Sequence, residues 1–314
     1  MQLRRLWGLA AFCFAQGALA AAPIAHVDGF RFHIVTGDDS AQSRRIADDL
    51  SQRLTPLAAS FRTELAQSRR LVYIAIGPAA LRDAVSRVDD SVVISAFTSS
   101  QVVEAVARGA HKSGRHAFIT AVYAEPAPAD QLRLIDLLYR RPVRVTAIVG
   151  ADTSHLNTFL RAPAHAIGVE AMGPDEDINR VLNRVAPADV LLAMPDSGVY
   201  NTDTIRNILL STYRHKQGVI GFSADMVKAG ALATTYSDIE DIDAQVAEMA
   251  YAFAATGELP APQFPRYFHT IVNDGVARSL DLDVSAAARA FARRPPSPSL
   301  SPSPAAAHAR TGTP

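Results

Sequence analysis

Apolar, β-branched runs alternate with helical patterns along most of this chain, and no other feature of the sequence constrains its fold as strongly. Strands are predicted at 31–36 (RFHIVT), 71–76 (LVYIAI), 91–96 (SVVISA) and 116–122 (HAFITAV). A second set is predicted at 143–149, 166–170, 189–194, 218–222 and 231–236. Helical periodicity fills the gaps, at 41–65, 79–87, 99–109, 129–140, 152–163, 176–184, 202–215 and 238–256. Strands separated by helices form βαβ units, and hence parallel sheets covered on both faces. The near-continuous apolar strands agree with that burial.

Two breaks divide the pattern. Tyr123-Ala124-Glu125-Pro126-Ala127-Pro128 is a proline-punctuated stretch about midway, after which the βα alternation restarts. Leu259-Pro260-Ala261-Pro262 follows the long helix at 238–256. With 314 residues, the expected organisation is two α/β lobes, joined by a hinge through which the chain passes more than once. The final stretch from about Arg293 (293–314) is rich in Pro, Ser and Ala, cannot bury a core, and is expected to be disordered.

Arg4 and Arg5, the apolar run Leu6 to Ala15, and Ala18-Leu19-Ala20 have the layout of a cleavable export signal over 1–20. The run is too short for a comfortable membrane span. The single cysteine, Cys13, lies inside this segment, so the mature protein is expected to be periplasmic and free of disulfides and thiolate metal sites. Hydrophobic residues make up 48% and charged residues 20%, and Lys+Arg (31) equals Asp+Glu (31), which argues against bulk binding of nucleic acid.

In open α/β sheets, ligands bind beyond the carboxyl ends of the strands. The turns there hold Thr36, Gly37 and Asp38, then Gly77, then Phe97, Thr98 and Ser99, then Tyr123. In the second half they hold Gly150 to Ser154, Pro195-Asp196-Ser197 and Ser223. Such small, hydroxyl-rich turns suit anion capture at helix N-termini, and equally suit plain helix capping. Enzyme signatures are missing. Gly221-Phe222-Ser223-Ala224-Asp225 begins like a hydrolase elbow but ends in Asp225 where a small residue is needed. No nucleotide-cradling glycine motif occurs, and the nine histidines have no metal-ligand spacing. Glu240, Asp241 and Asp243 follow Asp238 at a helix start and read as a solvated first turn.

Four stretches carry a resemblance. PDSGVYNTDTIRNILL (195–210), GVIGFS (218–223), VKAGALATTYSD (227–238) and VNDGVARSLDLD (272–283) resemble the C-terminal half of ABC-transporter substrate-binding proteins. The similar branch is the one related to tryptophan- and tyrosine-type binding components. AVYAEPAPADQLRLI (121–135) is similar to that branch's first crossover and following helix. The likeness is specific over about 115–285 and limited to the strand–helix pattern over 23–110. It implies the type I periplasmic-binding-protein fold, two Rossmann-like lobes with a three-segment hinge crossing near 123–128, 236–239 and 258–263. The lobes would be 23–123 plus 237–259 and 124–236 plus 260–290.

The same resemblance places Asp196, Ser197, Asn201, Phe222 and Ser223 at the cleft. Thr36, Asp38, Gly77, Thr98, Ser99 and Tyr123 join them by strand-end position alone. Asp196 would receive a ligand's ammonium group, and Asn201 would also cap a helix starting at Thr202. The expected function is binding a small polar or amino-acid-like ligand, aromatic ones included, by a monomer that uses no cofactor and delivers to permease subunits. Open alternatives are a sensory protein of the same fold with a protein partner, and an exported hydrolase using Ser223 and Asp196.

Overall fold

A computed structural model describes residues 30–60, 70–87, 92–114, 117–160 and 167–296. The stretch 1–20, expected to be an export signal, and the end of the chain beyond 296 lie outside them. The first half runs β1 (Phe30–Thr36), α1 (Ala41–Ser60), β2 (Arg70–Ile76), α2 (Gly77–Arg87), β3 (Val92–Thr98), α3 (Ser100–Lys112) and β4 (Phe118–Tyr123). Its four strands pair in parallel, in chain order. Alternation along β2 sorts the packing. Val72, Ile74 and Ile76 meet Ile46, Leu50 and Leu54 of α1, while Tyr73 and Ala75 meet Leu81 and Ala84 of α2 and Val103 of α3. With strands in chain order and α1 and α2 on opposite faces, two successive crossovers have opposite hands, so one departs from the usual right-handed preference.

The second half runs α4 (Pro128–Tyr139), β5 (Val145–Val149), a 3-10 turn (Ala151–Leu156), α5 (Asn157–Leu160), β6 (Ile167–Ala171), α6 (Ile178–Val185), β7 (Val190–Leu192), α7 (Ile205–Arg214), β8 (Gly218–Ile220), α8 (Ala224–Ala229) and β9 (Ala233–Tyr236). Then follow α9 (Ile239–Thr256), β10 (His269–Val272), α10 (Asp274–Ser279) and α11 (Ala286–Arg289). The second sheet has the order β10-β9-β8-β7-β5-β6, with β10 antiparallel at its edge. Connections leave β5 toward β6 and then return past it to β7. The crevice between the carboxyl ends of β5 and β7 is therefore the topological switch point.

The chain changes sheet three times. It leaves β4 for α4, which packs on the second sheet through Leu132, Ile135 and Leu138. It leaves β9 for α9, whose Ile242, Val246, Ala250 and Phe253 pack on the first sheet. After α9, Gln263 bridges to Val122 beside β4, and the chain then enters β10. Gln131 fixes the first crossing. Its amide donates to the Gly221 carbonyl (2.7 Å) and the Thr234 hydroxyl (2.8 Å), and its carbonyl accepts from Thr235 N (3.0 Å).

Three expectations change. The acids of α9 are not all solvated: Asp241 is 3% and Asp243 0% exposed, because α9 packs on the first sheet beside α1. The helix after Asn201 starts at Ile205 rather than Thr202. Arg293 is ordered, pairing antiparallel with Phe268 through backbone bonds of 2.8 and 2.9 Å.

Burial, and then the Asp49 carboxylate beside it, push the Asp243 pKa from an ordinary 3.8 up to about 8. In that interval the folded state holds a proton that the unfolded chain has released. Stability from this group is thus lost as pH rises from roughly 4 through about 8. Asp243→Asn should raise stability at pH 8.5 by on the order of 2 kcal/mol and change little at pH 5, read by urea unfolding at both. An unchanged pH slope would place the effect on another group.

Candidate functional site at the opposed strand ends

The first sheet's carboxyl edge is shaped by backbone geometry. Gly77 takes φ +83°, a left-handed conformation that lets β2 turn directly into α2. Phe97 also has positive φ (56°), at a bulge where the pairing with β4 slips between Ala96 and Thr98. Asp38 accepts from Ser40 N (3.0 Å) and Ser43 Oγ (2.6 Å). The Ser43 hydroxyl, then the Ser40 contacts, hold its carboxyl below the usual range. Gly37, Asp38, Gly77, Pro78 and Phe97 line a cavity of 330 Å³.

A separate groove of 640 Å³ runs between α2 and α3. Val85, Val102 and Val106 provide apolar wall, Arg82, Ser99 and Gln101 are polar, and Ser197 reaches it from the second sheet. The Ser197 N–H donates to Gln101 Oε1 (3.3 Å). A second contact between the halves joins His155 Nε2 and Ser100 Oγ (3.2 Å). Buried Glu125, in the first crossing, caps α3 by accepting from Ser100 N at 2.9 and 3.2 Å. Burial raises its pKa against the lowering effect of the Ser100 bonds. Phe264 meets Tyr123 edge-on (5.0 Å) and Phe159 likewise (5.1 Å).

Asp196 faces its own lobe. It is 3% exposed. Its Oδ2 accepts from Gly150 N (2.7 Å) and from the Thr153 hydroxyl, and its Oδ1 accepts from Gly198 N (2.9 Å) and Val199 N (3.3 Å). Gly150 is required here, since a Cβ would lie 2.6 Å from Asp196 Oδ2. The carboxylate thus pins the switch-point crevice, and the ammonium-binding role anticipated for it does not match its contacts. It follows that Ser197, next in the chain and exposed, is the member of that turn presented outward.

Of the other anticipated residues, Asn201 closes a turn by accepting from Asp203 N (3.0 Å) and Thr204 N (3.1 Å). Ser223 caps α8 through Met226 N (3.3 Å). Phe222 is half-buried, edge-on to Tyr200 at 5.7 Å. Thr98 (1% exposed) and Tyr123 (6%) are core, and Thr36 is half-buried at the end of β1. The structure therefore brings together Ser99 and Ser197, and separately Asp38 and Gly77. Arg82, Gln101, Glu125, Gln131 and His155 escaped sequence reading because they lie in helices, in the 3-10 turn or within the crossing, not directly after a strand. Glu125, an acid set in a proline-flanked crossing, was the one visible hint.

No protein-family profile matches the sequence, and a search among curated proteins finds no significant relative. Solved structures do match. A ligand-free, open substrate-binding protein with adhesive properties from Clostridium difficile aligns at TM-score 0.54 and 12% identity, covering 81% of this chain and 96% of that one. An ABC domain in complex with L-tryptophan from Streptococcus pneumonia aligns at TM-score 0.50 and 16% identity, covering 82% and 97%. The chain therefore has the two-lobed α/β fold of type I periplasmic binding proteins, as the resemblance implied.

Proposed function

We propose that the chain is an exported solute-binding protein that holds a small ligand between its lobes and releases it to permease subunits. One observation carries this reading: turns from the carboxyl ends of two separate sheets meet at a single groove, where Ser99 and Gln101 face Ser197. Strand-end turns of opposed α/β lobes are where hinge closure buries a ligand. We take 23–123 plus 237–259 and 124–236 plus 260–290 as the two lobes. The leader-like 1–20 supports export. Among the described residues, no helix is long and apolar enough to cross a membrane.

The ligand class is a small polar or amino-acid-like molecule. Among the described residues, Arg82 bears the groove's cationic group, and its guanidinium makes one long bond (3.4 Å), to the Pro78 carbonyl of its own helix, which leaves it able to take a carboxylate. Val85, Val102 and Val106 suit an apolar side chain. Because the pneumococcal protein was solved with L-tryptophan, aromatic amino acids come first in a binding screen. Binding without turnover is the reading: Ser223 is engaged as a helix cap, and Asp196 is enclosed by backbone and Thr153 donors. Calorimetric and thermal-shift titration with amino acids and other polar metabolites tests it. No binder together with measurable turnover of any panel member would refute it.

A further inference from the structure

We propose that Asp238, Asp241 and His269 form a divalent-cation site of the zinc type, built across the second crossing between the lobes. The two aspartates belong to the first turn of α9, which packs on the first sheet. His269 opens β10 at the edge of the second sheet, in register with Tyr236, the last residue of β9. The Ser237 hydroxyl donates to the Tyr267 carbonyl (2.6 Å) and holds the two segments together just beyond that ladder. Residues from both lobes thereby converge on one point.

The spacing suits coordination better than direct hydrogen bonding. His269 Nε2 lies 3.2 Å from Asp241 Oδ2 and 3.4 Å from Asp238 Oδ2. One ligand atom from each of the three residues falls within 4.8 Å of the others. A tetrahedral ion with ligands at roughly 2.0–2.1 Å has ligand–ligand edges of about 3.3–3.4 Å, whereas an imidazolium–carboxylate bond would close to about 2.7–2.9 Å. Capping explains the aspartates only in part. Asp238 Oδ1 accepts from Asp241 N (3.0 Å), and Asp241 Oδ2 accepts from Asp238 N (3.3 Å), in a reciprocal box. Those bonds orient both carboxylates in the way that outer partners orient metal ligands. They give no reason for an imidazole placed almost equally from both.

Charge points the same way. Among the described residues, neither aspartate has an Lys or Arg within ion-pair distance, since the neighbouring Arg45 is taken by Glu240. Side-chain exposure falls from 44% at Asp238 and 31% at His269 to 3% at Asp241. That leaves a buried floor and an open side for a water ligand and for metal entry. The helix N-terminus opposes a cation by up to about 1 kcal/mol, a small term beside two carboxylates and an imidazole.

The full chain, stripped with EDTA, should bind one equivalent of Zn²⁺ in calorimetric titration, and Co²⁺ should give the visible absorption of a tetrahedral N/O site. His269→Gln should weaken Zn²⁺ binding at least tenfold. Asp238→Ser, which retains an N-cap hydroxyl, should do the same. Both metal-free variants should melt within about 3 °C of the parent. Absence of Zn²⁺ binding below millimolar, or binding that survives either substitution, would overturn the proposal. Neither result depends on whether the groove binds an organic ligand.

Discussion

Asp196→Ala should unfold the switch-point crevice rather than merely empty a binding site. The substitution strips four acceptor contacts and leaves Gly198 N and Val199 N, together with Gly150 N and the Thr153 hydroxyl, facing a small apolar group. Gly150 N keeps a weaker partner in Thr153 Oγ1 (3.1 Å), Val199 N keeps the main-chain carbonyl of residue 196 (3.2 Å) and the Thr153 hydroxyl keeps the Gly150 carbonyl (3.3 Å), so the penalty falls well short of four lost bonds. Buried donors left without acceptors cost roughly 1–3 kcal/mol each and are not fully additive, so about 3 kcal/mol is expected for the whole. In a protein of this size that corresponds to a fall in Tm of about 6–12 °C. Asp196→Asn should be intermediate, because its carbonyl can serve one side while its NH₂ opposes donors on the other. Thermal unfolding of both variants decides the matter. An Asp196→Ala protein with unchanged Tm and abolished ligand binding would show instead that the carboxylate faces the ligand.

The second large effect should come from Gln131, which ties the helix after the first crossing to the ends of β8 and β9. Its side chain serves Gly221 O, Thr234 Oγ1 and Thr235 N while only 2% exposed. Gln131→Leu keeps the volume and removes the donors and the acceptor. Thr234 Oγ1 still reaches Gly221 O (2.7 Å), but Thr235 N loses its partner in the core. A loss of about 2–3 kcal/mol is expected, together with faster hydrogen exchange at the Thr235 amide and in the 221–223 turn. Exchange unchanged in β9 and the turn would mean that Gln131 does not couple the crossing to the second lobe's ligand-facing loops.

Much of the architecture was legible because hydrophobic periodicity is a local signal. All nine predicted strands occur, most within two or three residues of their expected ends, since runs such as LVYIAI are buried on both faces. β10 escaped notice because HTIV is short, pairs antiparallel at an edge and has no following βα unit to frame it. α8 was missed for a related reason: ADMVKA is too brief to show a helical period, and its Ser223 cap read as a site residue.

The candidate site was less legible. Sequence identifies which residues follow a strand, and so located Ser99 and Ser197. It does not reveal which donors surround an acid. Asp196 is satisfied partly by Gly150, 46 positions earlier, through a contact that exists only once β5 and β7 are neighbours. The burial of Asp241 and Asp243 likewise follows from α9 returning to the first sheet and lying beside α1, an event set by the crossings and not by the helix's own composition.

Calorimetric titration of the intact protein with L-tryptophan, extended to the other amino acids and polar metabolites, tests the binding role most directly, with Gln101→Ala and Arg82→Ala run in parallel. The expected result is one-to-one binding of at least one compound, weakened about tenfold or more by each substitution while Tm stays within about 3 °C of the parent. The contradicting result is a folded protein that binds no member of the panel, or one whose binding is indifferent to both substitutions.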